Sequence, residues 1–301
     1  MGIRVRTAVV ATACVGLVAC GASSGGTASS SSSPSVTSPS STASPSTSLQ
    51  PFVPATASET YRPASPRPGA VPVVLTIPGG GWQTSNREYM APLAQRLAAD
   101  GAFVVNSTYR AGDVGAMFPV ALQDVLCAAG YAVAQAKAAG LVPGPVILVG
   151  HSAGGHLVAL AGVSGDTLAA PCADPVPHVD GVVGMAGVYD AADAGGLIAP
   201  FFGVARAADP ALWDSGDPIR YVEDGRAATP LSVLLVHGSD DDVVPLRQSQ
   251  SFAAALKAAG IPVRLDEVAD ADHNVIVDPA VSGAAITAFV RTLASTSSAT
   301  R

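Results

Sequence analysis

The sequence predicts an α/β fold, a mostly parallel sheet with helices on both faces. Two observations carry this. Short runs of apolar, β-branched residues alternate with longer segments of helical spacing from residue 71 to residue 293. The short runs are apolar almost throughout, as strands covered on both faces are.

In chain order, residues 71–77 read as a buried strand between Gly69 and Pro78. Met90, Leu93 and Leu97 give residues 88–99 a helical face that stops at Asp100-Gly101. Residues 102–109 read as a strand. Pro119 stands where a helix can begin, and 120–139 continues it to Gly140. A strand at 146–149, a helix at 155–162 and a strand at 179–185 follow. Residues 187–229 break the rhythm with Phe201, Phe202 and Trp213 among Gly, Pro and Asp, and read as a lid or pocket insertion. Strands at 231–236 and 263–268 and helices at 245–259 and 279–293 complete the pattern. No internal repeat is present.

The termini read differently. Arg4 and Arg6 precede a short apolar run, 7–19, too short to span a bilayer. The run ends Leu17-Val18-Ala19-Cys20-Gly21, which resembles the bacterial lipobox, with Cys20 lipidated as the new N-terminus. The alternative is an ordinary signal peptide cut near Ala19. Both export the chain, either tethered by lipid to the outer face of the bacterial cell membrane or secreted. Residues 21–58 are nearly all Ser, Thr, Pro, Ala and Gly, a composition that cannot offset the entropy of ordering its backbone. They read as a disordered linker, 59–294 as one domain, and 295–301 as a flexible tail. Cys127 and Cys172 remain in an exported domain, where a disulfide is expected and two buried thiols are the alternative.

Composition excludes some functions. A chain of 301 residues, 49% hydrophobic and 13% charged, supports a sizeable core. A formal net charge of −7 argues against nucleic acid. No apolar window is long enough for a transmembrane helix.

The chemistry centres on Gly150-His151-Ser152-Ala153-Gly154, a Gly-x-Ser-x-Gly pattern. In a chain with 31 glycines the bare pattern carries little weight. Its setting carries more: a strand precedes it and a helix follows, which is what a nucleophile elbow at Ser152 needs. Serine requires a base. Of five histidines, His151 and His156 are tied to the elbow, and His178 belongs to the opposite sheet edge. His237 sits in a His-Gly turn of structural character. His273 follows the last strand in a loop free to reach inward, and is the expected base. The acid is expected in the loop after the penultimate strand, where Asp240, Asp241 and Asp242 stand together. The Ala153 N–H is one oxyanion donor, and Pro78-Gly79-Gly80-Gly81-Trp82 is the expected source of another.

Four stretches together resemble the α/β-hydrolase esterases of the hormone-sensitive-lipase and carboxylesterase type, including feruloyl-esterase-like and formamidase-like branches. They are Gly79–Trp82, Tyr109-Arg110 with Phe118–Val125, Gly150–Leu157, and His237-Gly238 through Pro245. The resemblance covers 59–294 and implies an α/β-hydrolase fold. It implies Asp241 as the acid, with Asp240 and Asp242 as fallbacks, and the Gly80 and Gly81 amides beside Ala153 in the oxyanion hole. It implies a serine esterase acting on short-chain or aryl esters through an acyl-enzyme. It implies no metal, no organic cofactor, a small-molecule ester as partner, and membrane contact by the lipid alone. An amidase or arylformamidase on the same residues is one alternative. A surface lipoprotein that keeps the fold without turnover is another. Pro78 departs from the pattern, which usually has histidine there, and the chain leaves little length for opening antiparallel strands.

Overall fold

A computed structural model describes residues 49–64 and 69–299 of the chain. The expected signal segment with Cys20, and residues 21–48 of the expected linker, lie outside the described residues.

The described chain opens with a helical turn, α1 (Pro54–Ala57), and an edge strand, β1 (Ser58–Tyr61). The next elements are β2 (Ala70–Ile77), α2 (Ala91–Ala99), β3 (Phe103–Ser107), α3 (Val120–Ala138), β4 (Val142–His151) and α4 (Ala153–Ser164). A strand β5 (Gly181–Met185) leads into the insertion. The insertion folds as four short helices: α5 (Ala191–Ala194), α6 (Ala199–Phe202), α7 (Pro210–Ser215) and α8 (Pro218–Glu223). The chain closes with β6 (Ser232–Gly238), α9 (Arg247–Ala258), β7 (Val263–Val268) and α10 (Gly283–Ala299).

These strands form one seven-stranded sheet in the order β1-β3-β2-β4-β5-β6-β7. Only β1 is antiparallel, pairing Ser58 with Ser107. Alternate residues of each strand feed opposite cores. Val73, Leu75, Leu148 and Leu235 point to the face covered by α3 and α4. Val74, Val104, Ile147 and Leu234 point to the face under α2 and α10, where Leu93, Leu97 and Ile286 meet them. That two-sided burial is why the central strands read as largely apolar runs, whereas the edge strands β1 and β7 carry charged residues.

Several boundaries differ from expectation. Residues 49–58 were expected within the disordered linker, but the structure orders them. Strand β1 takes backbone hydrogen bonds from the exposed edge of β3, and the Arg110 guanidinium donates to the Gln50 carbonyl at 2.8 Å. The final helix continues to Ala299 instead of ending at residue 293, so part of the expected tail is helical. Its Ser295 hydroxyl bonds back to the Arg291 and Thr292 carbonyls, within the helix. A short 3₁₀ turn, Arg87–Met90, also replaces the first turn expected of α2.

Cys127 and Cys172 form a disulfide that ties α3 to the connection before β5 across a separation of 45 residues. Cross-linking a loop of that size restricts the unfolded chain. Among the described residues no helix is long and apolar enough to cross a membrane.

Candidate active site

In a parallel sheet, loops at the carboxyl ends of the strands converge on one edge. Here β2, β4, β6 and β7 deliver to that edge the loops expected to hold the oxyanion donors, the elbow, the acid and the base. Together with the insertion they enclose a cavity of about 580 Å³, lined by Gly79, Gly80, Gly81, Trp82, Ser152 and His273 among others.

Ser152 sits at φ 54°, ψ −120°, a backbone region that residues other than glycine rarely adopt. The surroundings enforce it. The Ser152 amide donates to Met185 O at 2.8 Å, and its carbonyl accepts from His156 at 3.0 Å to start α4. A Cβ on Gly150 would run into the Gly154 carbonyl, and one on Gly154 into the carbonyls of Ile77 and Pro78. Both glycines are therefore steric requirements of the turn.

The oxyanion loop is packed against the elbow. A Cβ on Gly79 would lie 2.9 Å from Ser152 Cβ and 3.0 Å from His151 Nδ1. Gly81 and Trp82 have φ of 58° and 57°. The Gly80 carbonyl turns away to accept from Gln83 and Thr84 at 3.0 and 3.1 Å. Among the described residues no protein acceptor takes the Gly80, Gly81 or Ala153 amides. Gly79→Ala is expected to lower kcat about 10²-fold by pushing this loop off the elbow, which a kinetic comparison at matched folded fraction checks.

The same loop is braced from behind. Gly112 and Asp113 donate to the Trp82 and Gln83 carbonyls, each at 2.9 Å. Arg110, two residues earlier, grips the buried Asp124 of α3 with both ends of its fork, at 2.7 and 3.0 Å. The Trp82 indole N–H donates to His156 Nδ1 at 3.2 Å, and His156 Nε2 donates to Gly216 O at 2.9 Å. Phe201 packs on both rings. The insertion is thus a packed wall joined to the oxyanion loop. Burial pushes His156 down to about 4, so it stays neutral, as its one donor and one acceptor bond require.

Asp241 and His273 meet across two loops. His273 Nδ1–H donates to Asp241 Oδ2 at 2.8 Å. Asp241 Oδ1 accepts the Val243 and Val244 amides at 2.9 and 2.8 Å. Asp240 and Asp242 lie exposed, and Asp240 Oδ1 instead accepts from the Ser239 hydroxyl. Burial alone raises the Asp241 carboxyl. The bonds from His237, His273 and the Val244 amide outweigh it and hold the acid well below the usual carboxylate range. The loops are stitched by Asp240 N–H to Ala271 O and Asp270 N–H to Ser239 Oγ, both 3.0 Å.

His151 holds the base from below. Its Nε2–H donates to the His273 carbonyl at 2.8 Å, and the two rings lie 4.7 Å apart. Desolvation first, and the neighbouring His273 second, push His151 down to about 4, so it stays neutral beside His273. Ser152 and His273 line the same cavity, and among the described residues no hydrogen bond joins their side chains. Such bonds commonly tighten only when substrate arrives.

The structure thus brings Ser152, Asp241, His273 and the amides of Gly80, Gly81 and Ala153 to one edge. His151 and His237 also face this cluster. The sequence set both aside as catalytic groups, and no sequence signal marked their contacts with His273 and Asp241.

Comparison with known proteins places these features. The BD-FAE family model matches residues 59–256. The chain is 32% identical to esterase LipQ of Mycobacterium tuberculosis over 217 residues, 67% of this chain and 50% of that protein. It is 26% identical to kynurenine formamidase of Danio rerio over 224 residues, 74% of this chain and 72% of the relative. A truncated carbohydrate esterase from gut microbiota superposes with a TM-score of 0.66 at 25% identity, covering 79% of this chain and 90% of that one. The chain spans about half the length of the mycobacterial esterases it matches.

Proposed function

This chain belongs to the BD-FAE family and has the α/β-hydrolase fold, and from that footing we propose that it is a serine hydrolase of carboxylic esters. The observation that carries the reading is the Asp241–His273 hydrogen bond at 2.8 Å, opening on a cavity shared with a serine held at φ 54°.

The chemistry follows from the hydrogen-bond roles. Asp241 accepts a hydrogen bond from the Nδ1–H of His273, so neutral His273 presents the Nε2 lone pair to Ser152. His273 takes the hydroxyl proton as Ser152 Oγ attacks the ester carbonyl. The amides of Gly80, Gly81 and Ala153 receive the oxyanion. The intermediate collapses as His273 returns the proton to the departing alcohol, leaving an acyl-serine. Water activated by His273 then releases the acid.

The cavity supports a small, neutral substrate. Its lining holds no Lys, Arg, Asp or Glu, and a volume of about 580 Å³ suits a small molecule. Neutral short-chain or aryl esters fit this best. A second reading is favoured by the similarity to a kynurenine formamidase: the same residues would cleave an activated amide. Nitrophenyl acetate and an N-formyl anilide of matched size separate the two. The ester is expected to turn over faster, and a preference for the formamide would reverse the assignment.

The proposed location is the outer face of the cell membrane, through lipid on Cys20, with secretion as the alternative. Palmitate incorporation into the full chain, lost in Cys20→Ala, is the expected result. Unlabelled, freely released protein would leave secretion alone.

A further inference from the structure

His237 is completely buried at the end of β6, one turn from Asp241, and the chemistry above does not use it. Its hydrogen bonds fix its protonation pattern. Nε2 faces two atoms that can only accept, the Val244 carbonyl at 2.9 Å and Asp241 Oδ2 at 3.2 Å, so Nε2 carries the proton. In the neutral ring Nδ1 then accepts, and the Ser249 hydroxyl of α9 donates to it at 2.7 Å. Ser249 is also fully buried, so no water competes for that bond.

Asp241 Oδ2 therefore receives two imidazole N–H groups, one from His237 and one from His273, while Oδ1 receives two backbone N–H groups. The acid is held from both sides, and its acceptor capacity is filled. We propose that His237, locked in one tautomer by Ser249, is a positioning residue that fixes the Asp241 carboxylate and shares its negative charge, thereby setting how strongly Asp241 holds the base. This rests on the reading of Asp241 and His273 as acid and base.

The consequence has a definite sign. Without the His237 donor, charge concentrates on Oδ2, and the His273 Nδ1–H···Oδ2 bond strengthens. The protonated form of the base gains, so more of it persists at a given pH. His151, on the far side of the His273 ring, and Tyr189, beside Ser249, are the other titratable groups packed against this cluster; burial pushes the Tyr189 hydroxyl up, so it stays neutral throughout. His151 is likewise neutral above about 4 and leaves the sign unchanged.

The test uses His237→Phe, His237→Gln and Ser249→Ala. Glutamine can place an N–H near the position of Nε2, and phenylalanine cannot. Two readouts are needed. The low-field proton resonance of the His273 Nδ1–H, assigned with labelled histidine, reports the bond without any turnover. The profile of kcat/KM against pH reports its effect. In His237→Phe the resonance is expected to move downfield or be lost to exchange. The acid limb moves up by about half a pH unit, and kcat falls about tenfold with KM little changed. Gln is expected to restore most of this, and Ser249→Ala to shift both readouts less in the same direction. Folded His237→Phe with an unmoved resonance and limb would overturn the proposal, even if its activity fell. Should His237→Phe not fold, an unmoved Ser249→Ala overturns it. A wild type that shows the resonance but hydrolyses no ester would sink the esterase reading alone.

Discussion

Ser152→Ala is expected to lower kcat for a short-chain nitrophenyl ester by about 10⁴–10⁶-fold. The fold should survive, because alanine adopts the φ 54° backbone no worse than serine does. The oxyanion amides and the Asp241–His273 pair also stay in place, so any residual rate is what they supply without a nucleophile. A fluorophosphonate should label the wild type on Ser152 and leave the variant unmodified. Turnover by the variant at the wild-type rate would remove Ser152 from the reaction.

Asp241→Asn is the second large effect, expected at about 10³–10⁴-fold in kcat. Four N–H groups converge on this carboxylate, two at each oxygen. A carboxamide has one accepting end. Whichever way it turns, its NH₂ faces either the Val243 and Val244 amides or the two imidazoles. Turned toward the imidazoles, it favours the His273 tautomer whose Nε2 lone pair is gone. Asp240→Asn and Asp242→Asn, on exposed side chains, should stay within about twofold of wild type. Steady-state rates of the three variants decide which aspartate matters. The ionisation of Asp241 gives a pH corollary. Its folded carboxyl lies below the ordinary range, so its stabilising contribution is present above that range. It is lost only as pH falls through the depressed value. Activity lost on mild acidification therefore does not come from Asp241.

Much of this was legible in the chain and some was not, for identifiable reasons. The central strands announced themselves because both faces of the sheet are covered there, which makes β2, β3, β5 and β6 largely apolar runs. The elbow was legible because its demands are local: two glycines flanking a serine between a strand and a helix. Choosing among Asp240, Asp241 and Asp242 was not a local matter. The turn that sends the Asp241 carboxylate inward closes through the amides of Val243 and Val244, and those residues carry no marking side chain. Strand β1 was hidden because its Ser and Thr resemble the linker before it, and the order comes from a partner edge 49 residues away. His151 and His237 were hidden for a related reason. Their partners are a backbone carbonyl 122 residues distant and a serine on another element. Composition and periodicity do not register such contacts.

The Trp82–His156–Gly216 bridge bears on how this scaffold could be redesigned. Insertions beside a hydrolase pocket look like interchangeable parts, inviting the transplant of one from a related enzyme to change substrate range. Here the part is wired to its host. A graft lacking a carbonyl where Gly216 offers one would strand the His156 N–H, release the indole that depends on the other ring nitrogen, and unsettle the backbone amides next to the serine. Substrate range and rate would then change together. A graft that keeps 213–217 and varies the residues facing the cavity, such as Leu197, would let the two be altered independently.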